Sequence, residues 1–353
     1  MALKKITVKA SRGYDILIGG GLLDNAAEHM KRAVKAKNFA VITDDHVAPL
    51  YGDKLADSLK SAGFSVCQKV FPHGEASKSS YTLNAIYDFL SENSVTRSDC
   101  VLALGGGVVG DIAGFAAATY QRGIDYIQIP TSLLAQVDSS VGGKTAIDLP
   151  SGKNLVGAFW QPRLVLIDTN TLDTLPEEFF IDGLGEVIKY GMIKSKSLFE
   201  LLERHDSLGI RGVLEDVIYE CVSIKAAVVE ADEFDSGERM LLNFGHTLGH
   251  AIEKMTNYTG ISHGRAISVG MRMITKAAEN SALTAKGLTN RLTACLERYG
   301  LNAEVAFTPY ELAKAALNDK KRMGEMIHII VCKDAGKSEV IKMSTNEFIL
   351  LLS

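Results

Sequence analysis

Along the first half of this chain, short β-branched runs alternate with helical stretches, and the alternation stops at Thr174-Leu175-Pro176. Phe39 to Thr43, Phe64 to Phe71, Cys100 to Leu104 and Tyr126 to Ile129 read as strands, with helices such as Thr82 to Leu90 between them. Strands linked through helices pair in parallel, so the pattern predicts βαβ units and a mostly parallel sheet. Beyond Pro176 the apolar residues recur three and four apart, as in Leu198, Leu201, Leu202 and then Val213, Val217, Ile218, Cys221. That is the helical period. The expected architecture is an α/β N-terminal domain over residues 1–176 and a mainly α-helical C-terminal domain over 177–353. A last strand pair, His328 to Cys332 and Val340 to Met343, flanks Asp334-Ala335-Gly336-Lys337 and reads as a hairpin. No repeat or low-complexity linker separates the halves, so they are expected to pack closely and leave a cleft.

The length of 353 residues exceeds one ordinary core, in keeping with two domains. Apolar residues at 46% and charged residues at 23% fit a large buried core and exclude a disordered chain. With 38 Lys and Arg against 42 Asp and Glu, the net charge of -4 supplies no global field for nucleic acid or anionic lipid, and neither is expected as a partner. Met-Ala-Leu-Lys-Lys-Ile-Thr-Val lacks an apolar signal core, and the small-residue run Ile112 to Thr119 is too short for a bilayer. A soluble, cytoplasmic protein is expected. Cys67, Cys100, Cys221, Cys295 and Cys332 are odd in number and far apart, and read as reduced thiols.

The strongest local signal in the first half is Val101-Leu102-Ala103-Leu104 followed by Gly105-Gly106-Gly107-Val108-Val109-Gly110-Asp111 and a small-residue helix. Glycines at 105, 107 and 110 fit G-x-G-x-x-G in a strand-turn-helix setting, where backbone amides can approach a pyrophosphate and the helix N-terminus favours its charge. This makes the first domain Rossmann-like and nucleotide-binding. The ribose-binding acid expected about 20 residues on would be near Asp125, but Asp44, ending the strand Phe39 to Thr43, is an equal candidate.

In the second half, Asn243-Phe244-Gly245-His246-Thr247-Leu248-Gly249-His250 places two imidazoles on one helix face. His263 follows in Ser262-His263-Gly264, and Glu186 offers a carboxylate from a separate helix. Any three of these four would complete the N/O ligand set of a catalytic zinc site with an open position. Spacing leaves open which three. Glycine in a helix interior costs about 1 kcal/mol relative to alanine, and close approach of a ligand is the reason expected for the glycines flanking the pair. His29, His46, His73, His205 and His328 are read as ordinary hydrogen-bonded or surface histidines. Lys144, Lys153, Lys189, Lys225, Arg239 and Lys320-Lys321 lie beside glycines or the candidate ligands, where a phosphate or carboxylate could be bound.

Taken together, Gly105 to Asp111, Gln136 to Thr145, Glu186 to Gly191 and Asn243 to His250 closely resemble the 3-dehydroquinate synthase family of sugar phosphate cyclases, in the right order along nearly the whole chain. The resemblance implies the conversion of 3-deoxy-D-arabino-heptulosonate 7-phosphate to 3-dehydroquinate and phosphate, in the shikimate route to aromatic amino acids, with catalytic NAD and a divalent metal, zinc or also cobalt. It implies an NAD site of Asp44, Glu75, Lys78, the turn Gly106, Gly107 and Val108 with Asp111, then Thr131, Ser132, Lys153, Thr171, Leu172 and Thr174. Glu186, His246 and His263 would hold the metal, with His250 facing the substrate. Asp138, Lys144, Asn154, Lys189, Lys225, Arg239 and Asn243 would contact the sugar phosphate, with one of Lys320 and Lys321. Arg122 would reach the phosphate across a homodimer interface. Three departures stand out: Ser132 where a second threonine is common, Asp235 where glutamate is usual, and Arg265 where glutamate usually follows His263-Gly264. The alternatives to be separated are another sugar phosphate cyclase and a metal-dependent alcohol or glycerol dehydrogenase, which would accumulate NADH.

Overall fold

A computed structural model of the chain describes residues 3–318 and 326–353. Two compact units divide it: Met1–Pro176 with Lys225–Phe234, and Glu177–Ile224 with Asp235–Ser353. In chain order the first unit carries β1 (Lys4–Val8), β2 (Tyr14–Gly19), α1 (Ala26–Ala33), β3 (Asn38–Asp44), α2 (Asp53–Ser61), β4 (Ser65–Phe71) and α3 (Ser80–Glu92). It continues with β5 (Cys100–Gly105), α4 (Gly107–Thr119), β6 (Asp125–Pro130), β7 (Lys144–Leu149), β8 (Gly152–Phe159) and β9 (Leu164–Asp168).

Seven of these strands form one sheet in the order β1-β2-β9-β6-β5-β3-β4, parallel throughout except for the β1·β2 pair, while β7 and β8 make a separate antiparallel hairpin. Both sheet faces are covered. Phe39, Val41, Leu102 and Leu104 bury one face against Met30 of α1 and Leu55 and Leu59 of α2. Ala40, Ile42, Val101 and Ala103 bury the other against Leu83 and Ile86 of α3 and Ala113 and Ala116 of α4. From β3 the chain crosses through α2 to β4 on one side, whereas from β5 it crosses through α4 to β6 on the other. The direction of winding therefore reverses between β3 and β5. In such sheets ligands bind outside the carboxyl ends of the strands at that switch point. Asp44 and the Gly105–Gly107 turn sit there. Asp125 instead begins β6, at the opposite end of the sheet, where it pairs with Arg12 and with Arg163 Nε at 3.2 Å. The acid at the expected spacing is thus a structural ion-pair partner.

The second unit is helical: α5 (Glu177–Lys194), α6 (Lys196–Arg204), α7 (Leu214–Ala231), α8 (His246–Met255), α9 (His263–Asn280), α10 (Leu288–Arg298), α11 (Pro309–Asn318) and α12 (Thr345–Leu352). Residues of α7 from Lys225 onward group with the first unit. The expected hairpin is β10 (Met326–Asp334) with β11 (Lys337–Ser344), in antiparallel register about Asp334 opposite Lys337. No helix among the described residues is long and apolar enough to cross a membrane.

Glycines set how the helices of this unit meet. A Cβ on Gly185 of α5 would stand 2.8 Å from the Gly264 carbonyl oxygen of α9, and one on Gly249 of α8 would stand 3.0 Å from Ile267 Cα of α9. The reason for the helical glycines is thus the approach of backbone to backbone, and the ligand approach expected from sequence is not it. Only a residue without a side chain permits such contact.

Candidate metal and dinucleotide sites

Three glycines at the contacts of these helices neighbour a donor: Gly185 precedes Glu186, Gly245, whose Cβ would stand 2.6 Å from the Ile267 carbonyl oxygen, precedes His246, and Gly264 follows His263. Close approach of α5, α8 and α9 therefore carries three donors to one point. His246 Nε2 lies 3.3 Å and His263 Nε2 3.4 Å from Glu186 Oε1, and one donor atom from each residue falls within 4.8 Å of the others. The outer ring nitrogens are turned to other partners. His246 Nδ1 faces the Phe244 carbonyl at 3.2 Å, and His263 Nδ1 faces Glu253 Oε1 at 3.4 Å. An acceptor on one ring nitrogen fixes the tautomer that presents the other as a ligand.

Glu253, a buried carboxylate on α8, was not among the expected residues. Its signal in the sequence is a charged residue three positions after His250, on the same helix face. Asp182 is the second addition: one turn before Glu186 on α5, its Oδ1 accepts from the Gly264 amide at 2.7 Å and the Arg265 amide at 3.3 Å. The N-cap Ser262 makes no side-chain cap bond, so Asp182 satisfies the amides that open α9 and complements its positive end.

Burial opposes the charge on Glu186, yet the Lys189 ammonium and the hydrogen bonds from His246 and His263 outweigh it and hold its carboxyl well below the usual range. Burial likewise opposes a proton on His263, but hydrogen bonds to Glu186 and Glu253 push its pKa up to about 10. The cluster is built to hold positive charge. Lys189, expected among the substrate contacts, pairs with Glu186 one turn along α5, and both side chains are buried.

His250 lies one turn beyond His246, ring centroids 5.3 Å apart, and is exposed. Asn243, His246 and His250 line a cavity of ≈ 560 Å³ together with Thr247, His328 and Lys342. Arg239 is buried in the turn before α8. Arg265 lines a different cavity, with Thr256, Gly260 and Asn302, that contains none of the three donors. Its direction follows from helical phase: two residues beyond His263 on α9, it points to the far side. Lys320 and Lys321 lie outside the described residues.

In the first unit four of the expected cofactor residues, Glu75, Lys78, Asp111 and Lys153, interact with one another. Lys78 is buried, its Nζ 2.6 Å from Asp111 Oδ2, and it donates to Asn154 Oδ1. Burial disfavours its charge, but Asp111 and Glu75 outweigh that and raise its pKa. Lys153 Nζ lies 3.4 Å from Glu75 Oε1. Asn154 adopts φ +57. Asp44 Oδ1 accepts from the His46 and Val47 amides at 2.9 Å each, which shapes the loop leaving β3. At the turn, a Cβ on Gly106 would meet Ser132 Oγ at 3.4 Å and one on Gly107 would meet Ser139 Oγ at 3.2 Å; the buried Thr131 donates its amide to the Gly105 carbonyl at 3.0 Å. Val108 follows in the first turn of α4.

Gln136 Nε2 donates to Thr171 Oγ1 at 3.0 Å, Leu172 is buried beside it in sequence, and Thr174 Oγ1 lies 2.5 Å from Tyr51 Oη. Lys225 Nζ lies 2.9 Å from Asp138 Oδ1 and donates to the Asp138 carbonyl at 2.7 Å. Lys144 is exposed at the start of β7, and Arg122 is exposed at φ +69 in the turn after α4.

The doubly wound first unit and the helical second unit follow the fold of solved sugar phosphate cyclases. A crystal structure of 2-deoxy-scyllo-inosose synthase complexed with carbaglucose-6-phosphate, NAD+ and Co2+ matches 99% of this chain and 99% of its own at 26% identity and a TM-score of 0.88. One of 2-epi-5-epi-valiolone synthase from Streptomyces hygroscopicus subsp. jinggangensis 5008, with NAD+ and Zn2+ bound, covers 100% of this chain and 97% of its own at 26% identity and a TM-score of 0.87. Within that class, residues 68–182 match the 3-dehydroquinate synthase N-terminal family and residues 183–322 the 3-dehydroquinate synthase C-terminal family. The 3-dehydroquinate synthase of Clostridium perfringens (strain 13 / Type A) is 51% identical over 339 residues, covering 96% of this chain and 97% of that one. The chain belongs to the 3-dehydroquinate synthase family.

Proposed function

We propose that this chain converts 3-deoxy-D-arabino-heptulosonate 7-phosphate to 3-dehydroquinate and phosphate, using NAD catalytically and a divalent metal. The observation that carries the metal-dependent reading is the spacing at Glu186. Bonds of about 2.0–2.1 Å to a tetrahedral zinc ion set its donors roughly 3.3–3.4 Å apart. The separations of 3.3 and 3.4 Å from Glu186 Oε1 to the two Nε2 atoms already match that edge. Glu186, His246 and His263 would hold the ion, leaving a position for substrate oxygens.

When bound, NAD accepts a hydride from an alcohol and can return it to a ketone, and a divalent metal makes a coordinated hydroxyl more acidic. The chain's own residues do the rest. The turn at Gly106 and Gly107 and the N-terminus of α4 suit a pyrophosphate, with Asp44 at the neighbouring strand end for a ribose and Glu75, Lys78, Asp111 and Lys153 around it. Thr131, Ser132, Thr171, Leu172 and Thr174 would complete that site. Lys144, Lys225 and Arg239 are cations suited to the carboxylate and phosphate of the substrate, with Asp138, Asn154, Lys189 and Asn243 as polar partners. His250, on the helix of His246 but with an exposed ring, would move protons to and from substrate oxygens.

The assembly we propose is a cytoplasmic homodimer in which Arg122 of one copy reaches the phosphate of the other, and size-exclusion chromatography with light scattering reports its mass. The activity is tested by incubating the protein with the heptulosonate phosphate, NAD and Zn2+ and identifying the product by NMR. 3-Dehydroquinate should form, and should fail to form when either NAD or the metal is removed. Formation of a different carbocycle, or of none with every component present, would refute the reading.

A further inference from the structure

The carboxyl ends of β3 and β4 carry a second set of donors that the proposed reaction does not use. Asp45 and His46 follow the end of β3, and Pro72 and His73 follow the end of β4. The two strands pair in parallel with Asp44 opposite Phe71, and the Asp45 amide donates to the Phe71 carbonyl at 3.0 Å, so the two loops leave the sheet side by side. Asp45 Oδ1 accepts from the His73 amide at 2.8 Å and lies 2.9 Å from His73 Nδ1. The His46 ring lies over the His73 ring, with centroids 3.5 Å and planes 20° apart. One donor atom from each of the three residues falls within 4.8 Å of the others, and all three residues are exposed. In sequence these histidines are 27 positions apart and read as ordinary surface residues; only the parallel pairing of β3 with β4 unites them.

We propose that Asp45, His46 and His73 form a second, surface site for a divalent transition metal such as Zn2+ or Ni2+. Two imidazoles and one carboxylate suit these ions over Mg2+ or Ca2+, which favour all-oxygen sets. Three protein donors leave a fourth position for water. Coordination would turn the two rings out of their stack so that their nitrogens converge at a donor spacing of roughly 3.4 Å, a movement of side chains that are all exposed. Asp44 and Glu75 flank the cluster by one and two residues. An ion here would tie the loop of Asp44 to the loop of Glu75, and so stiffen the edge proposed to bind NAD. That coupling rests on the proposed function, whereas the site itself does not.

The test is a Ni2+ titration of the chelator-treated full-length chain by calorimetry, with H46Q/H73Q and H246A as variants. The wild-type chain should bind one more ion than H46Q/H73Q, whose folding is checked by its thermal melt because both side chains are at the surface. Equal stoichiometry in the wild type and a folded H46Q/H73Q would overturn the site. Should the Glu186 cluster not be a metal centre, H246A would keep the wild-type stoichiometry, a separate outcome. For the coupling, Ni2+ should tighten NAD binding to H246A at least threefold, and not to H246A/H46Q/H73Q. Equal NAD affinity with and without Ni2+ in H246A would overturn it.

Discussion

His246 and His250 stand one turn apart on α8, and their surroundings separate them. His246 presents Nε2 to Glu186 while its Nδ1 faces a carbonyl; His250 is exposed on the cavity wall. His246→Ala should therefore hold one ion fewer than the wild-type chain, whereas His250→Ala should keep the full complement and turn over about 10² to 10⁴-fold more slowly, the range for a lost proton-transfer group. Metal content after dialysis, read beside kcat, checks this, and equal metal loss in both would contradict it. His263 carries the pH dependence. Its pKa is raised from 6.5 to about 10 in the metal-free protein, so the stability this contributes is complete below about pH 6.5 and is lost as pH rises through about 10. A divalent ion has to displace that proton. Zinc uptake at pH 8 should thus release protons and tighten with rising pH, which calorimetry in two buffers of different protonation enthalpy measures; uptake without proton release would contradict it.

Four of the seven strands of the central sheet, β3 to β6, were legible as β-branched or apolar runs, such as Cys100 to Leu104 within β5, which is buried on both faces, whereas β1, β2 and β9 were not anticipated. The helical half was legible from its period. The hairpin of β7 and β8 was not, because its second strand leaves Leu155, Val156 and Phe159 exposed and so lacks a burial pattern to read. The donors Glu186, His246, His250 and His263 stood out as residue types, but their choice among four possible ligands came from family resemblance. Spacing along one helix cannot reveal which face a second helix covers. Glu253 and Asp182 were missed for the same reason, since their partners belong to a neighbouring helix. The glycine crossings yield a prediction at this scale. Gly185→Ala forces a Cβ to 2.8 Å from the Gly264 carbonyl oxygen and 2.9 Å from its Cα, backbone atoms that cannot rotate away. α5 and α9 must part. The expected cost is about 1–3 kcal/mol, as for other overpacked interiors. Zinc affinity should fall with it, because Glu186 and His263 move apart. Denaturant melts and zinc titration measure the two effects, and a variant of unchanged stability and affinity would contradict the account.

At the scale of the whole molecule, composition excluded classes of function and chose none. A net charge of -4 spread over 353 residues supplies no attraction for nucleic acid, and two of the cations proposed to bind cofactor or substrate each lie beside a carboxylate, Lys78 with Asp111 and Lys225 with Asp138. One unit carries a dinucleotide-type turn and the other a three-donor cluster. The central claim is that both serve one reaction in which NAD is needed but not consumed. A dehydrogenase with the same two kinds of site would differ in a single quantity, the reduced cofactor left behind. The direct measurement follows released phosphate and the absorbance of NADH together, in one reaction holding the protein, Zn2+, NAD and the heptulosonate phosphate. The account predicts phosphate in many-fold excess over enzyme with no net NADH, and no phosphate when NAD is left out; NADH accumulating in step with turnover would contradict it.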